Sequence, residues 1–299
     1  MKRYLKIGDL IICLDAEGLV RPTSKLAPFY ADGMTPPDVT VRITWDWVHA
    51  KRPRTPPVGR DLVQIYYQEQ DEKYCELAGG DRGALACTWY TSDYTEMVCA
   101  INNVTCQVPQ DSEGQILRML PMREIFLHYR ALFFHASQVA FRNKGILFTA
   151  PSGTGKTTQA KLWQKYRGAE IVCNDRTLTR KMDGVWRTYG YPLDGSEPVR
   201  SSAVNTLGAL VLLEQGPVNE VGRLPASKAL PRLMPQVVMD CWSGEARSRA
   251  MELLLELLRD IPVYLLACTP DERAVEALEK KLTEDEVIPR GEDFRPPVE

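Results

Sequence analysis

The stretch with the most chemistry in it is 150–158, APSGTGKTT. Gly153 and Gly155 allow the backbone to turn tightly and bring its N–H groups around an anion. Lys156 adds a compact cation that can reach terminal phosphates, and the Thr157 hydroxyl can ligate the divalent ion that bridges them. Ser152, Thr154 and Thr158 complete the polar rim. The spacing is that of the phosphate-binding loop GxxxxGK[ST], with Ala150 where the pattern begins with glycine. The context agrees. The apolar run GILFTA precedes the loop as a strand, and a helix is expected at about 155–167. The partial positive charge at that helix start favours a bound anion. Nucleotide binding follows, with residues 152–158 around the phosphates and Mg²⁺ or Mn²⁺ on Thr157.

Two flanking residues bear on what the phosphate is used for. Asp175 follows the strand-like EIVC, and a carboxylate at that point can sit beside a metal. His135 lies in FFHASQVAF, where by itself it reads as a packed core histidine.

Taken together, HASQVAFRNKGILFTAPSGTGKTT and the later EIVCNDRTLTR resemble the superfamily of HPr kinase/phosphorylase and phosphoenolpyruvate carboxykinase. The resemblance covers about 120–270 and is faint over 1–110. It implies a phosphate-loop kinase core within a mixed α/β fold. It also implies that His135 reaches the metal and phosphate site and that Asp175 ligates metal or acts as base. Carboxykinases are much longer, so the nearer resemblance is to short HPr-kinase-like proteins that phosphorylate serine hydroxyls of carrier proteins, free serine or precursor peptides. HPr kinases often carry two adjacent carboxylates where this chain has Asn174-Asp175. The base is therefore Asp175 or Asp194, the latter in the loop YPLDGSEPVRSS, which reads as a lid or as a plain connector. The downstream signature that goes with HPr binding is missing, which argues against HPr as acceptor. Arg176, and after it Arg180, Arg187 and Arg200, are candidates to clamp phosphate or an acidic acceptor.

The resemblance thus implies ATP-dependent transfer to a serine-type hydroxyl of a peptide, protein or small molecule. GTP and pyrophosphate stay open as donors, and a homo-oligomer is the family habit. Two rival readings remain: a nucleotide-dependent regulator or ATPase without an acceptor, and a small-metabolite kinase related to carboxykinases.

The elements that must position these groups are legible in outline. Residues 1–110 mix β-branched and aromatic residues in short runs (YLKIGDLIICL, VTVRITWDW, DLVQIYYQE, ALACTWY, EMVCAI), so they are expected to form a β-rich region serving as a partner or substrate platform. Residues 111–299 are expected to form the catalytic domain. Helical spacing covers 112–133, broken at Pro121. RNKG and Asp183-Gly184 read as hairpin turns. LGALVLLEQ and IPVYLLACT read as strands, with a last helix at about 270–282.

Composition sets bounds. A formal charge of −2 gives no footprint for nucleic acid, and no apolar run is long enough to span a bilayer. The eight cysteines include no CxxC pair, so buried thiols and a cytoplasmic location are expected. Lys51, Arg52, Arg54 and Arg60 form a basic cluster near Trp45 and Trp47, read as a solvated loop in preference to an acidic partner's contact.

Overall fold

The structure is a computed structural model of the chain, and it describes residues 2–16, 24–61, 63–105, 113–193, 201–239 and 243–290. It is a mixed α/β protein with two sheets and six α-helices among those residues. None of these helices is long and apolar enough to cross a membrane. The chain divides into two compact units, Met1–Tyr129 with Asp240–Arg247, and Arg130–Met239 with Ser248–Glu299.

The first unit is built on β1 (Lys2–Ile7), β2 (Leu10–Ala16), β3 (Tyr30–Ala31), β4 (Val39–Thr44), β5 (Gly59–Arg60), β6 (Gln64–Glu69), β7 (Glu72–Ala78), β8 (Ala84–Thr91) and β9 (Glu96–Ile101). They form one sheet in the order β3-β1-β2-β4-β9-β8-β7-β6-β5. The run YLKIGDLIICL is a hairpin and not one strand, because Gly8 and Asp9 both take positive φ (63° and 59°) and reverse the chain. β4 shows the period-2 pattern plainly: Val39, Val41 and Ile43 are buried, and Arg42 faces solvent.

One face of this sheet is covered by α1 (Glu113–Met119) and α2 (Met122–His128), parted at Pro121. Polar side chains of the strands fix the helices there. Thr88 Oγ1 donates to Met119 O at 2.9 Å, and Gln64 Nε2 donates to Arg118 O and Leu120 O at 3.1 and 3.0 Å. The structural division therefore falls at Tyr129, beyond the boundary at 110 expected from composition, because α1 and α2 bury their apolar sides with the first unit's strands.

The second unit contains β10 (Ala131–Phe141), β11 (Lys144–Thr149), α3 (Lys156–Arg167), β12 (Glu170–Cys173), β13 (Arg176–Met182), β14 (Val185–Tyr189), β15 (Val204–Gln215), β16 (Glu220–Leu224), α4 (Ala226–Leu233), most of α5 (Gly244–Asp260), β17 (Val263–Cys268) and α6 (Glu272–Glu284). The sheet order is β11-β10-β13-β14-β15-β17-β16, with β12 also on β10. β11 pairs in parallel with β15 as well, so β10, β13, β14, β15 and β11 close into a ring. Both expected hairpins are present, with positive φ at Arg142 and Asn143 (47° and 61°) and at Asp183 and Gly184 (51° and 80°).

A buried polar layer sits on this ring. Thr177 Oγ1 and Thr188 Oγ1 donate to Gln138 Oε1 at 2.6 and 3.0 Å, and Gln138 Nε2 donates to Asn205 Oδ1 at 3.2 Å. Shared partners of this kind fix the register of the strands that meet there. A separate apolar core forms where Ile146 and Phe148 of β11, Val211 and Leu213 of β15 and Leu266 of β17 meet Ala160 and Trp163 of α3 and Val275, Leu278 and Leu282 of α6. Trp163 is fully buried with its ring against Phe141 and Phe148, and this anchors α3 just behind the glycine-rich turn. Gly168, at φ 64°, ends α3 in the left-handed conformation.

Candidate functional site

β11 ends at Thr149 and feeds Ala150 into the glycine-rich turn; α3 begins at Lys156. Gly153 and Gly155 have φ of 81° and 117°, which side chains strongly disfavour. A Cβ at either would meet nothing within 4 Å, so these glycines serve backbone conformation and not packing space. The start of α3 has no side-chain cap and no acidic residue in its first turn. Its leading N–H groups and partial positive charge are thus left for an outside anion. Lys156 is buried, and its Nζ donates to the carbonyls of Ala150 (2.8 Å) and Pro151 (3.3 Å). Burial pulls the Lys156 ammonium pKa below its ordinary range, with Asp175 opposing that shift. Thr157 is half-buried, whereas Ser152, Gly153 and Thr158 are exposed.

His135 and Asp175 arrive beside this turn through strand register. His135 on β10 is the cross-strand partner of Arg176 on β13, and Ala136 N donates to Asp175 O at 3.0 Å. Two buried hydroxyls tie the pieces together. Ser137 Oγ donates to Asn174 O at 2.7 Å, and Thr149 Oγ1 donates to His135 O at 2.9 Å. Thr149 did not stand out in the sequence, and Ser137 did so only as the serine that follows His135 and a small residue in the family resemblance.

His135 Nε2 lies 3.3 Å from Asp175 Oδ1, and Arg176 Nε lies 3.6 Å from Asp175 Oδ2. The His135 hydrogen bond is the largest influence on Asp175. Together with the charges of Arg176 and Lys156, it outweighs burial and holds the carboxyl below the usual carboxylate range. Asp175 is about one-third exposed, at 34% of its side chain, so it remains open to solvent.

Arg180 and Arg187 are cross-strand partners on β13 and β14, and Arg187 pairs with Asp183 at 3.9 Å. Asp194 and Arg200 lie outside the described residues, as does most of the expected lid. Among the described residues, no group of three or more His, Cys, Asp or Glu side chains could hold a metal ion. A hard divalent cation on Thr157 and Asp175 would complete its shell with phosphate oxygens and water. An ammonium, a hydroxyl, a carboxylate and an uncapped helix start are a fitting donor set for a metal-bound polyphosphate. None of the six described cysteines is in a disulfide; Cys106 and Cys241 lie outside the described residues.

Residues 97–283 match the family model of the SynChlorMet cassette protein ScmC. The chain belongs to this family. The match takes in nearly all of β9, α1, α2 and nearly all of the second unit, and hence every described residue of the candidate site. No curated protein matches the chain. Among solved structures, the Hpr(Ser) kinase/phosphatase from Coxiella burnetii aligns with a TM-score of 0.32 and 13% identity, covering 52% of this chain and 98% of that one. A TM-score that low carries no functional reading.

Proposed function

We propose that this ScmC-family protein is a nucleotide-dependent kinase that transfers a phosphoryl group to a serine-type hydroxyl. The observation that carries the reading is the convergence of the His135–Asp175 pair on the glycine-rich turn that holds Lys156, fixed by the Ser137 and Thr149 hydroxyls. A purely structural Gly-Lys turn has no need of an ionised carboxylate within electrostatic reach of its lysine.

Residues 152–158 would hold the donor's phosphates, with ATP as the first donor to test. Mg²⁺ or Mn²⁺, held by Thr157 and Asp175, supplies charge neutralisation when bound. Lys156 exchanges its two carbonyl partners for phosphate oxygens. Asp175, kept ionised by His135 and Arg176, takes the hydroxyl proton as the phosphoryl group passes in line to the acceptor oxygen. His135 orients Asp175 through its Oδ1, and Arg176 adds positive charge beside Oδ2. The cassette in the family's description supports an acceptor made alongside the enzyme, such as a precursor peptide.

The test is phosphorus NMR of the protein with Mg²⁺-ATP, a desalted peptide pool and free L-serine, beside Lys156→Ala. A new phosphate-ester resonance is expected with the parent and is absent with the variant. Full turnover by Lys156→Ala would sink the assignment. Free phosphate as the sole product would favour the ATPase or regulator reading.

A further inference from the structure

We infer that residues 45–60 of the first unit form a docking surface for an acidic peptide segment, whatever chemistry the second unit performs. Between Asp46 and Asp61 the chain carries Lys51, Arg52, Arg54 and Arg60 and no acidic residue, in a protein whose formal charge is −2. An ordinary solvated loop would be held loosely, but this one is pinned along its length. Lys51 pairs with Glu72 and sits 4.5 Å from the centre of the Trp89 ring. Glu69 accepts the backbone N–H groups of Arg54 and, at 2.9 Å, Thr55. Val58 N donates to Tyr66 O at 2.8 Å. Pro53, Pro56 and Pro57 stiffen the stretch further.

What this ordered strap presents outward has no carboxylate within ion-pair reach among the described residues. Arg52, Arg54 and Arg60 are exposed, and among the described residues none of them makes an ion pair. The nearby carboxylates are already engaged, Glu69 by backbone N–H groups and Glu72 by Lys51 and Tyr74. In the same stretch of chain, Val48 and Val58 stand 79% and 47% exposed. Arginines on a pinned backbone, with exposed valines in the same stretch, suit a partner that offers carboxylates and aliphatic side chains together.

The occupant's chemistry can be narrowed. Single-stranded nucleic acid is commonly held by stacking on open aromatic faces, but Arg52 covers Trp47 at 5.1 Å and Lys51 covers Trp89. Strand addition is disfavoured as well, since three prolines remove N–H donors from the strap. A short acidic peptide read by side chains fits each of these constraints.

The test is fluorescence anisotropy of the full chain with three labelled probes of equal length: a peptide of alternating glutamate and leucine, its glutamine–leucine counterpart, and an oligothymidylate. The glutamate peptide should bind and should weaken as salt is added. R52A/R54A/R60A should bind it at least about tenfold more weakly. Lys228→Ala, an exposed lysine of the second unit, should bind as the parent does. Thermal unfolding of the triple variant should stay close to the parent's, since Arg52 loses only an exposed stacking contact with Trp47 and none of the three makes an ion pair among the described residues. The inference is overturned if the glutamate peptide does not bind, if the glutamine peptide binds equally, if the triple variant is unchanged, or if the oligothymidylate binds more tightly.

Discussion

Gly145→Ala tests the closed ring that carries the site. A Cβ at Gly145 would stand 2.2 Å from Thr188 Cγ2, with Asn205 Cβ at 3.5 Å and Thr188 Cβ at 3.6 Å. The last two are ordinary contacts, so one methyl group makes the whole clash. Thr188 cannot easily swing that methyl away, because its hydroxyl donates to Gln138 Oε1 at 3.0 Å and lies 3.2 Å from Thr177 Oγ1. The variant must either overpack the ring or break a buried hydrogen bond, and either costs about 2 kcal/mol. For a unit of this size the melting temperature should fall by roughly 4–8 °C. Thr188→Ser keeps the hydroxyl and deletes the methyl, which by itself costs about 1 kcal/mol. In the double variant the alanine methyl occupies the vacated space, so a cycle of urea melts should give a favourable coupling of about 1–2 kcal/mol. If Gly145→Ala is as stable as the parent, or if Thr188→Ser gives no rescue, then Gly145 does not face Thr188 and the ring is not closed as described.

Asp175→Asn should abolish phosphate-ester formation in the NMR assay while leaving nucleotide binding by calorimetry largely intact; normal transfer would pass the base role to Asp194. His135→Ala removes the largest influence lowering the Asp175 pKa. The carboxyl midpoint should then move up toward its ordinary value in a carbon NMR titration, and an unmoved midpoint would refute the pairing. The sign for stability follows from the depressed pKa. Asp175 contributes above its unfolded pKa and loses that contribution as pH falls through the folded one, so the variant should show a smaller acid-side loss. Gly155→Ala puts a side chain at φ 117° with no steric neighbour, so its cost is backbone strain of about 1–3 kcal/mol. Weaker nucleotide affinity should accompany it, and unchanged affinity would show that the turn does not need this conformation.

Much of the second unit was readable because its signals are local. The hairpin at Arg142-Asn143, the turn at Asp183-Gly184, the strand EIVC and the helix after Gly155 each depend on a few adjacent residues, and each lies close to where its pattern puts it. Other elements had no such signal. β7 alternates weakly because Glu72, Lys73 and Glu76 make polar contacts with their neighbours, and β16 is a polar edge strand with none of its residues buried. The segment 112–133 has helical spacing throughout, but from Ala131 the chain enters β10, where pairing with β13 overrides it. The meeting of His135 with Asp175 was reachable only through family resemblance, because it arises from antiparallel register between segments about 40 residues apart. The Ser137 and Thr149 hydroxyl contacts are likewise products of register.

Closure of the ring also orders events during synthesis. β11 can pair with β10 as soon as the hairpin at Arg142-Asn143 has emerged, but its other edge waits for β15, whose paired residues run from Thr206 to Leu212. Until that stretch leaves the ribosome, the strand feeding the glycine-rich turn has one finished side and one bare row of backbone donors and acceptors. A nascent chain stalled between Thr149 and Thr206 would therefore expose an apolar edge, Ile146-Leu147-Phe148, to any other extended segment. In this protein the residues that complete that strand's protection are among those translated well after it.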